Sequence, residues 1–159
     1  MGDDGNGNTN REKFEVYAVY NENIKCIGAH EDTHLLSLPL GLATKLFREG
    51  LAEFMSKEWH GKTHDFWAKK FLSEKKIPGL AKILDDKEGD KISDLISYPC
   101  AGSFYIFLIS KIGKGIFLKL YGALDRNINV EINLVTIKDI TSKSLDQWQK
   151  EWAEKVLYQ

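Results

Sequence analysis

The chain has 159 residues and carries 22 basic against 23 acidic side chains, for a formal charge of −1. That length suits one domain able to bury about two thirds of its surface, and the interspersed charges exclude a basic stripe for nucleic acid or a polybasic tract for anionic lipid. Cys26 and Cys100 stand too far apart for a metal knuckle and leave open two free thiols or one disulfide, with no disulfide framework required.

Residues 1–13, MGDDGNGNTNREK, have no apolar run after the initiator and are expected to form neither a signal peptide nor a strand. They read as a flexible leader, either an expression remnant or a linker behind a processed export signal, so export and a cytoplasmic location both stay open. The domain is expected over 14–159. Phe14 to Tyr20 alternates weakly as a strand, and Ile24 to Ile27 is its expected hairpin partner. A helix over 29–38 follows the small apolar segment Lys25-Cys26-Ile27-Gly28-Ala29. Leu35, Leu36 and Leu38 are expected to bury its far end before Pro39 and Gly41 stop it.

The second helix is expected over 42–58, burying the apolar positions 42, 43, 46, 47, 51, 54 and 55. A third is expected over 65–74 and a short fourth over 79–84, before the charge cluster Asp85 to Asp90, read as a solvated loop. Ile92 to Ile96 is a helix or turn ahead of a break at Tyr98-Pro99. Ser103 is a suitable N-cap for a core helix over 104–112, stopped by Gly113. The apolar run in that helix is only nine residues and falls short of the ~20 a membrane span needs. A further helix covers 115–124, and 129–140 is ambiguous, because Val130, Ile132 and Leu134 alternate as in a strand. Ser144 and Gln147 form a capping box ahead of a stripe of Leu145, Trp148, Trp152 and Val156, which reads as core.

The chemistry is concentrated in His30-Glu31-Asp32-Thr33-His34. Positions i and i+4 of a helix project from one face, so both imidazoles can reach a single ion, and Glu31 sits beside it as a base. Zinc held by three protein ligands keeps a fourth position for a water whose pKa falls to about 7. Glu49, at the edge of the apolar face of the second helix, supplies the third ligand. Gly50 after it suggests close approach of another backbone. Glu53, one turn on, is placed to accept a hydrogen bond from the non-metal nitrogen of a ligand histidine. Competing readings are two solvated histidines on an amphipathic helix and a solvated Glu53. His60 and His64 are also four apart but flank Gly61 in a polar stretch and read as solvated.

HEDTH followed by REGLAEF resembles the gluzincin zinc metallopeptidases, and most nearly the peptidase MA-like domains, in which HExxH is completed by a glutamate in a phrase such as EGLA. The resemblance runs on through Tyr98-Pro99-Cys100-Ala101-Gly102-Ser103-Phe104 with Leu108 and Gly113, and through Ser144-Leu145 with Trp148 and Trp152. It implies a mainly α (α+β) zincin-like domain with a small N-terminal β-ribbon and a helical bundle, and favours a helix over 129–140. It implies Zn²⁺ bound by His30, His34 and Glu49, Glu31 as general base, and a tyrosine near the oxyanion, Tyr98 first and Tyr105 second.

These readings lead to a zinc metallopeptidase acting on a peptide or protein substrate, without nucleic acid or a membrane span. The alternative is a catalytically weak or inactive zinc-binding interaction module built on the peptidase fold. Zinc hydrolysis of a non-peptide bond is a third reading. The room for only a small sheet before His30 points either to a missing N-terminal region or partner that completes the cleft, or to a minimal form of the family with a shallow cleft.

Overall fold

The computed structural model describes residues 7–22 and 28–158. The fold is mainly helical with one two-stranded antiparallel sheet, formed by β1 (Gly7–Asn10) and β2 (Glu15–Ala18). Gly7 pairs with Ala18, and Asn10 with Glu15. This corrects two expectations. Part of the leader is a strand, and it takes the place next to β2 that was assigned to Ile24–Ile27, a segment outside the described residues. The tight connection explains the choice. The Asn10 side chain accepts from the Lys13 amide at 3.0 Å, and Phe14 adopts a positive φ of 59°, so the chain reverses at once and the two short segments pair locally.

Eight helices follow among the described residues: α1 (Ala29–Leu36), α2 (Lys45–Ser56), α3 (His64–Ser73), α4 (Leu80–Leu84), α5 (Asp86–Gly89), α6 (Asp94–Ala123), α7 (Val130–Thr141) and α8 (Leu145–Tyr158). The helical reading of 129–140 therefore holds in α7, where Asn129 caps the Glu131 amide. The Ser144–Gln147 capping box forms as expected, with reciprocal bonds of 2.8 and 3.2 Å, and Trp148 and Trp152 of α8 lie in the core.

α6 departs most from its expected form, because neither Tyr98-Pro99 nor Ser103 begins a helix. Pro99 lies near the N-terminal end, in the second turn, and forgoes the bond to the Leu95 carbonyl. The single irregularity is Gly113, at φ 76° and ψ 160°, which divides the helix where the sequence suggested a stop. By length and composition α6 is apolar enough to cross a membrane, but 56 % of its most apolar stretch is buried inside the fold. It is the strut on which α2, α3, α7 and α8 pack. Ser103, far from capping, is fully buried within it: its hydroxyl donates to Asp65 at 2.6 Å and accepts from the Trp152 indole at 2.9 Å, tying α3 and α8 to α6.

α2 lies against α6, and it does not bury the face expected of it. Leu46 and Phe47 are in the core, but Phe54 and Met55 are exposed while Lys45, Glu49, Gly50 and Glu53 are buried. Gly50 permits the approach, since a Cβ there would stand 2.9 Å from the Ala101 carbonyl oxygen of α6. Burying two carboxylates in place of available apolar side chains is costly unless they are compensated.

The charge cluster at 85–90 is likewise structural. Asp86 accepts from the Lys45 amide at 2.7 Å and from Arg48 at 3.1 Å, and the buried Lys45 ammonium reaches the Gly89 carbonyl and Asp94. It anchors the start of α2. At the far end of α1, Leu35 is buried but Leu36 is 75 % exposed, so only one side of that helix meets the core.

Candidate metal centre

α1 lies across α2, which brings the i, i+4 face of one helix onto the buried carboxylates of the other. His30 Nε2 and His34 Nε2 are 3.2 Å apart. Glu49 Oε2 lies 3.5 Å from the first and 3.2 Å from the second. Tetrahedral ligands at about 2.0–2.2 Å from a zinc ion stand about 3.3–3.6 Å from one another, so the three donor atoms already have the mutual spacing of a zinc triangle. Glu49 Oε2 is buried without a hydrogen-bond partner, an arrangement a cation would relieve. Two imidazoles and one carboxylate, with space left for a fourth ligand, make a donor set suited to zinc.

The surroundings hold the ligands in these positions. Arg48 Nε donates to Glu49 Oε1 at 2.9 Å, so one carboxylate oxygen is committed to the guanidinium and the other turns to the histidines. Burial alone would raise the Glu49 carboxyl; the His30 and His34 rings and Arg48 hold it well below the usual carboxylate range. His30 Nδ1 stands 2.9 Å from Glu53 Oε1, with the N–H off the line of the oxygen, so that Oε1 has no hydrogen-bond partner. Burial would lower His30, but Glu49 and Glu53 outweigh it and push it up to about 10.

Beyond Glu53 lies a residue whose expected role is overturned. His64 is fully buried, and its Nε2 is 2.7 Å from Glu53 Oε2, so Glu53 spans His30 and His64. Burial raises the Glu53 carboxyl, and the two histidines more than reverse this. His64 looked solvated because the segment around it is polar; α3, capped by Thr63 at the Phe66 amide, turns it inward against α6. Gly102 makes the space, since a Cβ there would come within 2.6 Å of His64 Cδ2 and 2.7 Å of Glu53 Cβ. His60 is exposed, as expected.

Glu31 is half-buried beside His30. The Thr9 hydroxyl of β1 bonds to its carboxylate, and lies 3.2 Å from its backbone carbonyl oxygen. Tyr98 lies across the His30 ring, centroids 5.5 Å apart and planes 18° from parallel. Its phenol is raised, first by burial and then by Glu49, Asp94 and Glu31, so it stays a neutral donor. Tyr105 is buried in the core instead, packed on Phe117.

The structure brings His30, His34, Glu49, Glu53 and Tyr98 together, with Glu31 beside them. Arg48, His64 and Thr9 were missed. Only Arg48, adjacent to Glu49 in the chain, carried a local signal. No family profile, curated protein or solved structure matches this chain.

Proposed function

We propose that this chain is a zinc-dependent metallopeptidase of gluzincin type, with a zincin-like fold reduced to one β-ribbon and a helical bundle. The observation that carries the reading is the triangle of His30 Nε2, His34 Nε2 and Glu49 Oε2 at 3.2–3.5 Å, with a carboxylate not among the three on the same turn of α1. A zinc ion bound there supplies Lewis acidity and lowers the pKa of a water in its open position. Glu31 takes the proton of the attacking water and hands it to the leaving amine. Tyr98, kept neutral, donates its phenolic hydrogen to the oxyanion. Arg48 keeps Glu49 Oε2 turned to the histidines, and Glu53 stands against His30 Nδ1, which limits reorganisation during the reaction.

The test is cleavage of a peptide library by purified protein with and without chelator, together with Glu31→Gln. The variant is expected to bind zinc stoichiometrically and to lose turnover by 10²-fold or more, in line with loss of a general base. Zinc-loaded Glu31→Gln cleaving at the wild-type rate would refute the mechanism.

A second reading, a zinc-binding interaction module with weak or no catalysis, is favoured by one contact. The Thr9 hydroxyl engages the Glu31 carboxylate, the group that the mechanism needs free. Thr9→Val distinguishes the two: a gain in cleavage supports the peptidase, and chelator-insensitive inactivity of both proteins supports the module.

A further inference from the structure

The metal triangle is flanked by a row of aromatic rings, of which the chemistry described so far uses only the Tyr98 hydroxyl and leaves Trp59 without a role. Tyr98 stacks on His30, and Trp59 meets Tyr98 edge-on at 5.6 Å with an interplanar angle of 62°. His30, Tyr98 and Trp59 are all half-buried, so the row lies at the edge of the site beside the buried His34 and Glu49.

Trp59 is held there by a rigid device. Its N–H donates to the Lys62 carbonyl at 2.8 Å and its carbonyl accepts from the Lys62 amide at 3.1 Å. Between them His60 and Gly61 have φ of 47° and 70°, the double positive φ of a type I′ turn. Lys57, just before, is also left-handed at φ 69°. Two non-glycine residues in a left-handed conformation within four positions are a strain that the surrounding structure must over-determine. The Trp67 indole supports the turn by donating to the Trp59 carbonyl at 2.7 Å. The two tryptophans differ in purpose: Trp67 packs against the hydrophobic core, whereas the Trp59 ring belongs neither to the core nor to the side chains packed on it. A half-buried indole fixed by a strained turn, away from the core and on a tyrosine that covers a ligand ring, is placed to meet something from outside.

We propose that Trp59 and Tyr98 form the specificity wall of the metal site, and that the substrate is a peptide with an aromatic side chain next to the scissile bond. The offset and edge-on geometries of this row are those in which a further ring packs favourably. The wall also answers the scarcity of sheet, since it gives the substrate a surface beside the metal that the β-ribbon does not have to provide. The proposal rests on the zinc peptidase reading.

The test uses the full chain loaded with zinc and N-acetyl amino-acid hydroxamates of phenylalanine, lysine and glycine, titrated by calorimetry. The hydroxamate reports the metal and the side chain reports the wall. Wild type is expected to bind the phenylalanine compound about 5- to 10-fold more tightly than the glycine one, the range of an added aromatic contact. Trp59→Ala should bring that ratio to about 2 or below, and Trp59→Phe should retain most of it, with zinc affinity equal in all three proteins. If the alanine variant does not fold, Trp59→Leu takes its place in the comparison. A wild-type ratio near one, tightest binding of the lysine compound, or an unchanged ratio without Trp59 overturns the wall. Absence of zinc binding in wild type, read in a separate titration, overturns the metal reading and the wall with it.

Discussion

Replacing Gly102 with alanine should disturb stability and metal affinity together, because the added methyl would enter the one place where α2, α3 and α6 meet behind the ligands. Its Cβ would lie 2.6 Å from His64 Cδ2 and 2.7 Å from Glu53 Cβ, about 1 Å inside ordinary carbon contact distances. Both neighbours are fully buried and bonded to each other, so neither can rotate away at low cost. Overpacking of a tight interior reaches about 3 kcal/mol, and the better helix propensity of alanine returns about 1 kcal/mol. The net loss of about 2 kcal/mol corresponds to a fall in Tm of about 4–8 °C for a chain of this size. Displacement of Glu53 should also free His30 and weaken zinc binding about 10-fold, the lower end for lost support of a ligand histidine. The assays are thermal unfolding by circular dichroism and zinc competition against a chromophoric chelator. Gly115→Ala is the control: nothing lies within 4 Å of its Cβ position, so a gain of up to about 1 kcal/mol and unchanged zinc affinity are expected. Gly102→Ala with wild-type Tm refutes the packing argument, and a lowered Tm with unaltered zinc affinity refutes the coupling to His30.

His64→Leu removes the partner of Glu53 Oε2 and leaves a buried carboxylate half-unpaired, which should cost about 3 kcal/mol; chemical denaturation gives the value, and a loss below about 1 kcal/mol would count against the His64–Glu53–His30 chain. In protein stripped of metal, His30 is pushed up to about 10, so the stability it contributes is fully present below about pH 6.5 and is lost as pH rises toward 10. Urea unfolding in chelator at a series of pH values should show that decline, and a rise in stability over the same interval would contradict it. Burial pushes the Cys100 thiol up to about 12, so peptide mapping after iodoacetamide treatment at pH 8 should find Cys100 unmodified in native protein and alkylated in urea. Native labelling at the rate of a free thiol would mean that α6 opens locally.

Several parts of this structure were legible one segment at a time. The capping box at Ser144 and the tryptophan stripe of α8 follow from i, i+3 and i, i+4 geometry, and so does the shared face of His30 and His34. Gly50 signalled a close backbone approach, and α6 does come against it there. Where local rules failed, a distant element had overruled them. Pro99 and Ser103 carry the marks of a helix boundary, but burial on every side keeps α6 continuous through both. Phe54 and Met55 look like core residues, yet α2 buries Glu49 and Glu53 and leaves both at the surface, Phe54 against the Tyr105 ring of α6. The leader strand exists because β2 is there to pair with it.

By itself, the sequence determined which residues share a helical face, and therefore that two imidazoles and a third ligand one helix away were available for a metal. Those relations depend on the 3.6-residue period and short spacings, which any helix of that sequence must obey. Only the tertiary structure decided that Glu53 would connect His30 to His64, that Arg48 would take one oxygen of Glu49 and leave the other to the histidines, and that Tyr98 and Trp59 would line up beside the ligands. Each of these is a contact between separate elements, set by where glycines allow helices to approach and by what burial demands of a charge.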